Sequence, residues 1–297
     1  MKLSNIELRR AIHIMLYGPP KVGKTELYGE LAEHGFNLYI FDFENGTLTL
    51  KRSISKEAQD RVEIYQIPDT KFYPIAGVTA TKVMKPGVHK ICHTHGSVSC
   101  SLCAKDPTAR TSTFDNTKLT EKDIVIFDSL NQLTTSVMNH ITKDIKDEDF
   151  KPGWDEYRAQ GTRLDAFLSC VQNAPYHVIC TTHELDLAKD KEPTEIVPLV
   201  GSRNFARNVA KYFDEVVHMH ISNLAHRAYS DTLYSKNHLT GSRSRTRIED
   251  QVTANINKKP GDKEHTSLLP IFLNAGISGD IKAETILKSI LTGTQTK

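Results

Sequence analysis

Gly18-Pro19-Pro20-Lys21-Val22-Gly23-Lys24-Thr25 fits the spacing G-x-x-x-x-G-K-[ST] without a mismatch. Such a match can arise by chance, so the flanking sequence has to agree with it. Before it, Ala11-Ile12-His13-Ile14-Met15-Leu16-Tyr17 is an apolar run of strand length. After it, residues 25–34 carry Leu27 and Leu31 on one helical face and stop at Gly35, a natural helix end. Strand, glycine loop and helix thus follow in the order that a phosphate cradle requires. The glycines let successive backbone N–H groups turn inward on a polyphosphate, and the helix N-terminus adds its partial positive charge. Gly18, Pro19, Pro20, Lys21, Val22, Gly23, Lys24 and Thr25 would form the cradle. Lys24 would sit on the β- and γ-phosphates, and the Thr25 hydroxyl would complete the shell of a Mg²⁺ ion. The plain alternative is a Gly/Pro turn between a strand and a helix.

At 297 residues the chain has room for one large α/β domain with an insertion, or for two modest domains. Its 38% hydrophobic and 25% charged residues are those of a soluble globular protein. No apolar run approaches membrane-spanning length and residues 1–10 show no signal-peptide core, which predicts a cytoplasmic protein with no membrane partner. A net charge of +2 and a pI near 8.2 are too mild to demand nucleic acid, so any basic binding surface must be local. Five cysteines, three of them within residues 92–103, suggest metal rather than a disulfide framework.

Residues 37–43 read as a second core strand that ends in Glu44-Asn45-Gly46. A carboxylate just past a core strand, beside a phosphate loop, is placed to polarise an attacking water, and Glu44 is the candidate general base. Asp42 competes for that role, and a turn or cap acid is the bland reading of either. A polar helix over 54–62 and a third strand near 63–67 follow. Residues 68–120 then lose periodicity and read as an insertion with almost no core of its own.

Inside that stretch lie Cys92-His93-Thr94-His95-Gly96 and Cys100-Ser101-Leu102-Cys103. Two ligand pairs, each separated by two residues, can wrap a tetrahedral Zn²⁺ as a pair of knuckles. Cys92, His95, Cys100 and Cys103 are the chosen ligands. His89, three residues before Cys92, is the alternative to His95, and His93 is the weakest choice. Metal binding would be what folds the segment, whereas free or redox-active thiols are the competing reading.

Asp123-Ile124-Val125-Ile126-Phe127-Asp128-Ser129 is a buried strand whose Asp128 emerges at the C-terminal end, where ligands bind in open α/β sheets. Asp128 is the candidate Mg²⁺-holding carboxylate. Helices are expected over 130–145 and 155–172, with Phe150, Trp154 and Tyr157 as core or subunit-contact aromatics, or as platforms for bases. Residues 175–182 form another core strand ending at His183, a position from which a polar side chain can sense the γ-phosphate. A long polar loop over 184–201, a helix over 202–213 carrying Arg203 and Arg207, and a hairpin from 215–221 and 225–234 come next. Arg243, Arg245 and Arg247 alternate along one face of an extended segment, able to reach phosphates or to lie solvated. The tail from 249 is polar, with one helix expected over 281–291.

Taken together, the Gly18 to Thr25 loop, Phe41-Asp42-Phe43-Glu44, Val125-Ile126-Phe127-Asp128-Ser129 and the strand ending at His183 resemble the RecA-like ATPase core in identity and order. In AAA+ proteins the catalytic Glu usually follows the metal-holding Asp directly, and here Ser129 stands there. The nearest resemblance is to compact phage RecA-like ATPases of the AAA or single-strand-annealing recombination group, with the cysteine-rich segment added. It implies an α/β P-loop core of mainly parallel sheet flanked by helices over 1–250, to which the zinc-knuckle insertion read at 68–120 and the polar tail at 251–297 are additions. It further implies ATP hydrolysis with Lys24, Glu44, Asp128 and His183 in the catalytic set, Thr25 and Asp128 on Mg²⁺, and single-stranded DNA as partner. DNA would be held by loops at about 146–160 and 184–201, neither strongly basic. A homo-oligomeric ring or filament, one arginine of Arg243, Arg245 and Arg247 acting across its interface, a single-strand-binding protein as a further partner and a bacterial host cytoplasm for a phage protein complete the implication. A nucleotide-gated assembly or packaging factor that grips protein, and a P-loop kinase, are the other readings.

Overall fold

A computed structural model describes residues 11–106, 108–147, 149–187, 195–222, 225–230, 237–243, 251–254 and 268–277. Its strands are β1 (His13–Tyr17), β2 (Asn37–Asp42), β3 (Val62–Gln66), β4 (Val88–Cys92), β5 (Thr111–Asp115), β6 (Asp123–Asp128) and β7 (His177–Thr182), then β8 (Glu184–Asp186), β9 (Ile196–Pro198), β10 (Glu215–Ser222), β11 (Ala225–Tyr229), β12 (Gly241–Ser242) and β13 (Gln251–Ala254). The helices are α1 (Lys24–Gly29), α2 (Leu50–Ser53), α3 (Lys56–Gln59), α4 (Ala76–Val83), α5 (Leu130–Thr142), α6 (Trp154–Asn173), α7 (Arg203–Asn208) and α8 (Leu269–Asn274).

The main sheet runs β13-β11-β10-β1-β7-β6-β2-β3, with β12 also on β10. From β3 to β10 every pairing is parallel, and β11, β12 and β13 add antiparallel strands at one edge. Strands β1, β6 and β7 are buried at every position, as expected of near-continuous apolar runs covered on both faces. Alternate side chains divide the core. Met15, Tyr17, Phe41, Phe127, Val178 and Cys180 face α4, α5 and α6, whereas Ile14, Leu16, Ile40, Ile126 and Ile179 face α1, α2 and α8. This is an α/β architecture, a mainly parallel sheet flanked by helices.

Several elements depart from the sequence expectation. The first helix gives way after Gly29 to a 3₁₀ turn over Glu30–His34 before stopping at Gly35, and the polar helix shrinks to Lys56–Gln59, capped by the Ser55 hydroxyl. Residues 68–120 are not without a core: Ala76, Ala80 and Val83 of α4, with Ile91, Val98 and Phe114, join the main cluster. The helical stripe at i, i+4 and i+7 was diluted in sequence by Gly77, Thr79 and Thr81. The long loop is partly a hairpin, β8 on β9. Nor is the tail wholly polar. β13 pairs with β11, and Phe272 of α8 packs on Phe36 and His177 with ring centroids 5.0 and 5.2 Å apart. Trp154 is 82% exposed and Tyr157 47%, so neither is a core residue. The helix expected over 281–291, the hairpin residues 231–234, and Arg245 and Arg247 lie outside the described residues.

Candidate nucleotide and metal sites

The glycine loop leaves β1 at the C-terminal edge of the sheet. Gly18 adopts φ 156° while the Met219 carbonyl of β10 presses on it; a Cβ there would lie 2.3 Å from that oxygen. Lys24 opens α1 and turns its ammonium back across the loop, donating to the Gly18 and Pro19 carbonyls at 3.0 and 2.8 Å. Burial lowers its pKa to about 8 against the opposing pull of Asp128, Glu44 and Glu184. A buried cation held only by carbonyls, beside the free amides of a helix start, fits a polyphosphate.

Parallel register sets the acids level with the loop. Asp42 pairs with Asp128 across β2 and β6, and Phe127 with Cys180 across β6 and β7. Asp128 Oδ2 accepts from Thr25 Oγ1 at 3.1 Å and from Tyr28 Oη at 2.8 Å, and Oδ1 accepts from Thr181 Oγ1 at 2.6 Å. Burial raises the Asp128 pKa, with the Thr181 and Tyr28 donors opposing the shift. A hydroxyl and a carboxylate side by side are the hard oxygen donors that suit Mg²⁺.

The two acids of the second strand are separated by their surroundings. Asp42 is 1% exposed and accepts from the Glu44, Gly46 and Thr47 amides and from Thr47 Oγ1, the last at 2.6 Å. Its oxygens are occupied by the turn, which leaves it no lone pair for a water. Glu44, partly exposed at the tip of that turn, accepts from Ser129 Oγ and lies 4.0 Å from His183 Nε2. Burial, then Lys24, lowers the His183 pKa against Glu44 and Asp128, so the imidazole is neutral near pH 7, and its Nδ1 is buried without a partner. One residue on, Glu184 reaches back to His218 of β10 at 2.9 Å. Lys24, Thr25, Glu44, Asp128 and His183 therefore share one pole of the sheet.

Tyr28, Thr181 and the Ser129 contact to Glu44 were not singled out in the sequence. Tyr28 stands four residues after Lys24 on the same helical face, a spacing that could have revealed it. Thr181 depends on strand register and carries no local signal.

The second cluster sits on the β4–β5 hairpin. Cys92, His95, Cys100 and Cys103 bring one ligand atom each within 4.8 Å of one another. His95 Nδ1 lies 3.2 Å from Cys103 Sγ and 3.6 Å from Cys100 Sγ, against N···S edges of about 3.5 Å in a tetrahedral Zn²⁺ site. Tight turns close both pairs: the Gly96 amide donates to the Cys92 carbonyl, and the Ala104 amide to that of Cys100. The donor set fits zinc, and Thr79 Oγ1 of α4 bonds the Gly96 carbonyl at 2.8 Å, tying the first turn to the core. His89 is elsewhere, bonded to the Lys85 carbonyl and stacked on Phe114, and His93 bonds Ser112.

A protein-family model described as an AAA domain matches residues 10–247. The chain belongs to this AAA domain family. AAA domains are typically ATPases, which implies a nucleotide and Mg²⁺. Among solved structures, the chain is similar to the crystal structure of the RadB recombinase, at 14% identity over 73% of this chain and 79% of that one, with a TM-score of 0.38. No curated protein matches it. No helix among the described residues is long and apolar enough to cross a membrane.

Proposed function

We propose that this AAA domain hydrolyses ATP to ADP and phosphate and couples the cycle to single-stranded DNA in phage-type recombination or strand annealing. The observation that carries the reading is the convergence of Lys24, Asp128 and Glu44 on the mouth of one phosphate loop. In this scheme Lys24 and the loop amides neutralise the β- and γ-phosphates. Thr25 and Asp128 hold Mg²⁺, which when bound screens the charge that grows on the leaving oxygens. Glu44, oriented by Ser129, takes the proton of the attacking water as the bond from the γ-phosphorus to the β–γ bridging oxygen breaks. His183, between Glu44 and the β8–β9 hairpin, would report the state of the γ-phosphate to residues 184–201.

Cys92, His95, Cys100 and Cys103 would hold a structural zinc that rigidifies the β4–β5 hairpin within an insertion at 68–120. DNA would meet loops 146–160 and 184–201 in an oligomer, with a single-strand-binding protein as a further partner, in a host cytoplasm. Arg243 is a weaker candidate to act across an interface, because its guanidinium donates to its own chain's Lys211 carbonyl at 2.6 Å and lies 3.7 Å from Asp214.

One observation favours a second reading, an assembly or packaging ATPase acting on protein. Residues 146–160 hold three basic and five acidic side chains, and 184–201 two and five, a poor match to a phosphate backbone. Turnover measured with and without single-stranded DNA separates the two: stimulation supports the DNA reading, and ATP-dependent oligomers whose rate ignores DNA support the other.

A further inference from the structure

Helix α4 packs closely on α5 at Gly77, where a Cβ would lie 2.6 Å from Val137 Cγ2. Past that contact α4, α5 and α6 enclose a cavity of ≈ 280 Å³ that shares no residue with the nucleotide site or the cysteine cluster. Its apolar lining is buried Val137 of α5, half-buried Val78 of α4 and exposed Ala166 of α6, and beside them stand Lys82, Lys85, His140 and Arg163. Lys82, Lys85 and Arg163 are exposed, and among the described residues none of them enters an ion pair. Partial burial, followed by Lys143 and Arg163, lowers the His140 pKa, against the Pro74 carbonyl that bonds it and, after that, Asp144. The cavity is therefore edged by three exposed cations, Lys82, Lys85 and Arg163.

The frame is fixed before any partner arrives. Asn116 Nδ2 donates to the Val83 and Lys85 carbonyls, both at 2.8 Å, and His89 bonds the Lys85 carbonyl as well, so the C-terminal end of α4 is pinned. A preformed apolar hole ringed by unpaired cations selects an apolar group flanked by negative charge. Val78, Val137 and Ala166 offer a base neither an aromatic face to stack on nor hydrogen-bond partners, which disfavours a nucleic acid. An aliphatic or aromatic side chain needs only the apolar lining.

We propose that this cavity captures an acidic linear segment of a partner protein, one large apolar side chain seated between α4, α5 and α6 and its flanking carboxylates on Lys82, Lys85 and Arg163. The proposal is independent of the nucleotide chemistry. It is tested by fluorescence anisotropy on the full chain with a labelled peptide Asp-Glu-Asp-Leu-Phe-Asp-Glu, beside the same peptide with Leu and Phe replaced by Ser. The expected result is saturable, salt-weakened binding of the first peptide, with the Ser peptide weaker by about tenfold or more. Lys82→Glu combined with Arg163→Glu, and separately Ala166→Trp, which places a large side chain in the cavity lining, should each weaken binding by a similar factor while ATP turnover and melting temperature stay unchanged. The charge pair lies at exposed positions, so it keeps the test decisive if Ala166→Trp fails to fold. Absence of binding, equal binding of the Ser peptide, or binding undiminished in the charge variant would overturn the proposal. So would a thymidine oligonucleotide that displaces the peptide and itself loses affinity in the charge variant.

Discussion

Ser129, the residue directly after Asp128, donates its hydroxyl to Glu44 at the end of the neighbouring strand. The side chain that follows Asp128 thus steadies a carboxylate just past β2, and the residue pair spans the gap between the two acids. The same turn holds Asp42 by four donors. Two acids two residues apart consequently sit in different surroundings, and substitution can tell apart the roles proposed for them.

Glu44→Gln is expected to lower ATP turnover by about 10²-fold or more while leaving nucleotide binding and melting temperature nearly unchanged. Asp42→Ala is expected to destabilise the fold by about 2–4 kcal/mol, because buried amides lose their acceptor. Single-turnover kinetics and chemical denaturation of both variants check this. Comparable turnover in Glu44→Gln and the parent would remove Glu44 from the chemistry.

Nucleotide affinity should fall as pH rises. The free Lys24 ammonium titrates near pH 8 because burial disfavours its charge, and a bound phosphate favours the protonated form. Protonated Lys24 binds, so affinity is full below pH 8 and declines above it, approaching tenfold per pH unit. Calorimetry at pH 7, 8 and 9 reads the slope, and Lys24→Arg, which stays charged throughout, should flatten it.

Acid should weaken the fold through His177. Its Nδ1 accepts from the Ile12 amide at 3.0 Å and its Nε2 lies 3.2 Å from the Glu121 carbonyl, so the ring is held neutral. Burial lowers its pKa to about 4, with His13 adding to the shift and the Glu121 carbonyl opposing it. The unfolded chain takes up this proton near pH 6.5 and the folded one does not. Stability is therefore complete above about pH 6.5 and lost as pH falls toward 4, on the order of 3 kcal/mol for this group. His218, pushed down to about 2 by burial and by His238 and His220, contributes with the same sign. Denaturation midpoints between pH 7 and 4.5 measure the slope, which His177→Gln should reduce.

Purified protein should carry about one zinc per chain under reducing, chelator-free conditions, and Cys100→Ser with Cys103→Ser should lose it. Because α4 packs into the main core, chelation should loosen the β4–β5 hairpin without unfolding the domain, visible as hydrogen exchange confined to about 88–115. Less than half an equivalent of zinc would defeat the assignment.

The P-loop, the buried strands β1, β2, β6 and β7 and the helices α5 and α6 were legible because each carries a periodic apolar pattern next to a punctuating residue. Lys24, Glu44, Asp128 and His183 were legible for a related reason: each stands at or just past a strand or loop boundary, where polar residues are conspicuous. Thr181 and the Ser129 contact were not, since both depend on which strands become neighbours. Asp42 stayed a competitor of Glu44 in sequence because what distinguishes them is the turn amides that converge on one and miss the other. Strand β13 and helix α8 were hidden by length. Six residues, Leu269–Asn274, give too short a pattern to stand out in a polar tail, and only burial against Phe36 reveals their role.

ATP turnover by the intact protein, with and without single-stranded DNA and alongside Lys24→Ala, tests the central claim most directly. Magnesium-dependent release of phosphate, raised by DNA and lost in Lys24→Ala, is the predicted result. An unchanged rate in Lys24→Ala, or no hydrolysis under any of these conditions, would contradict the account.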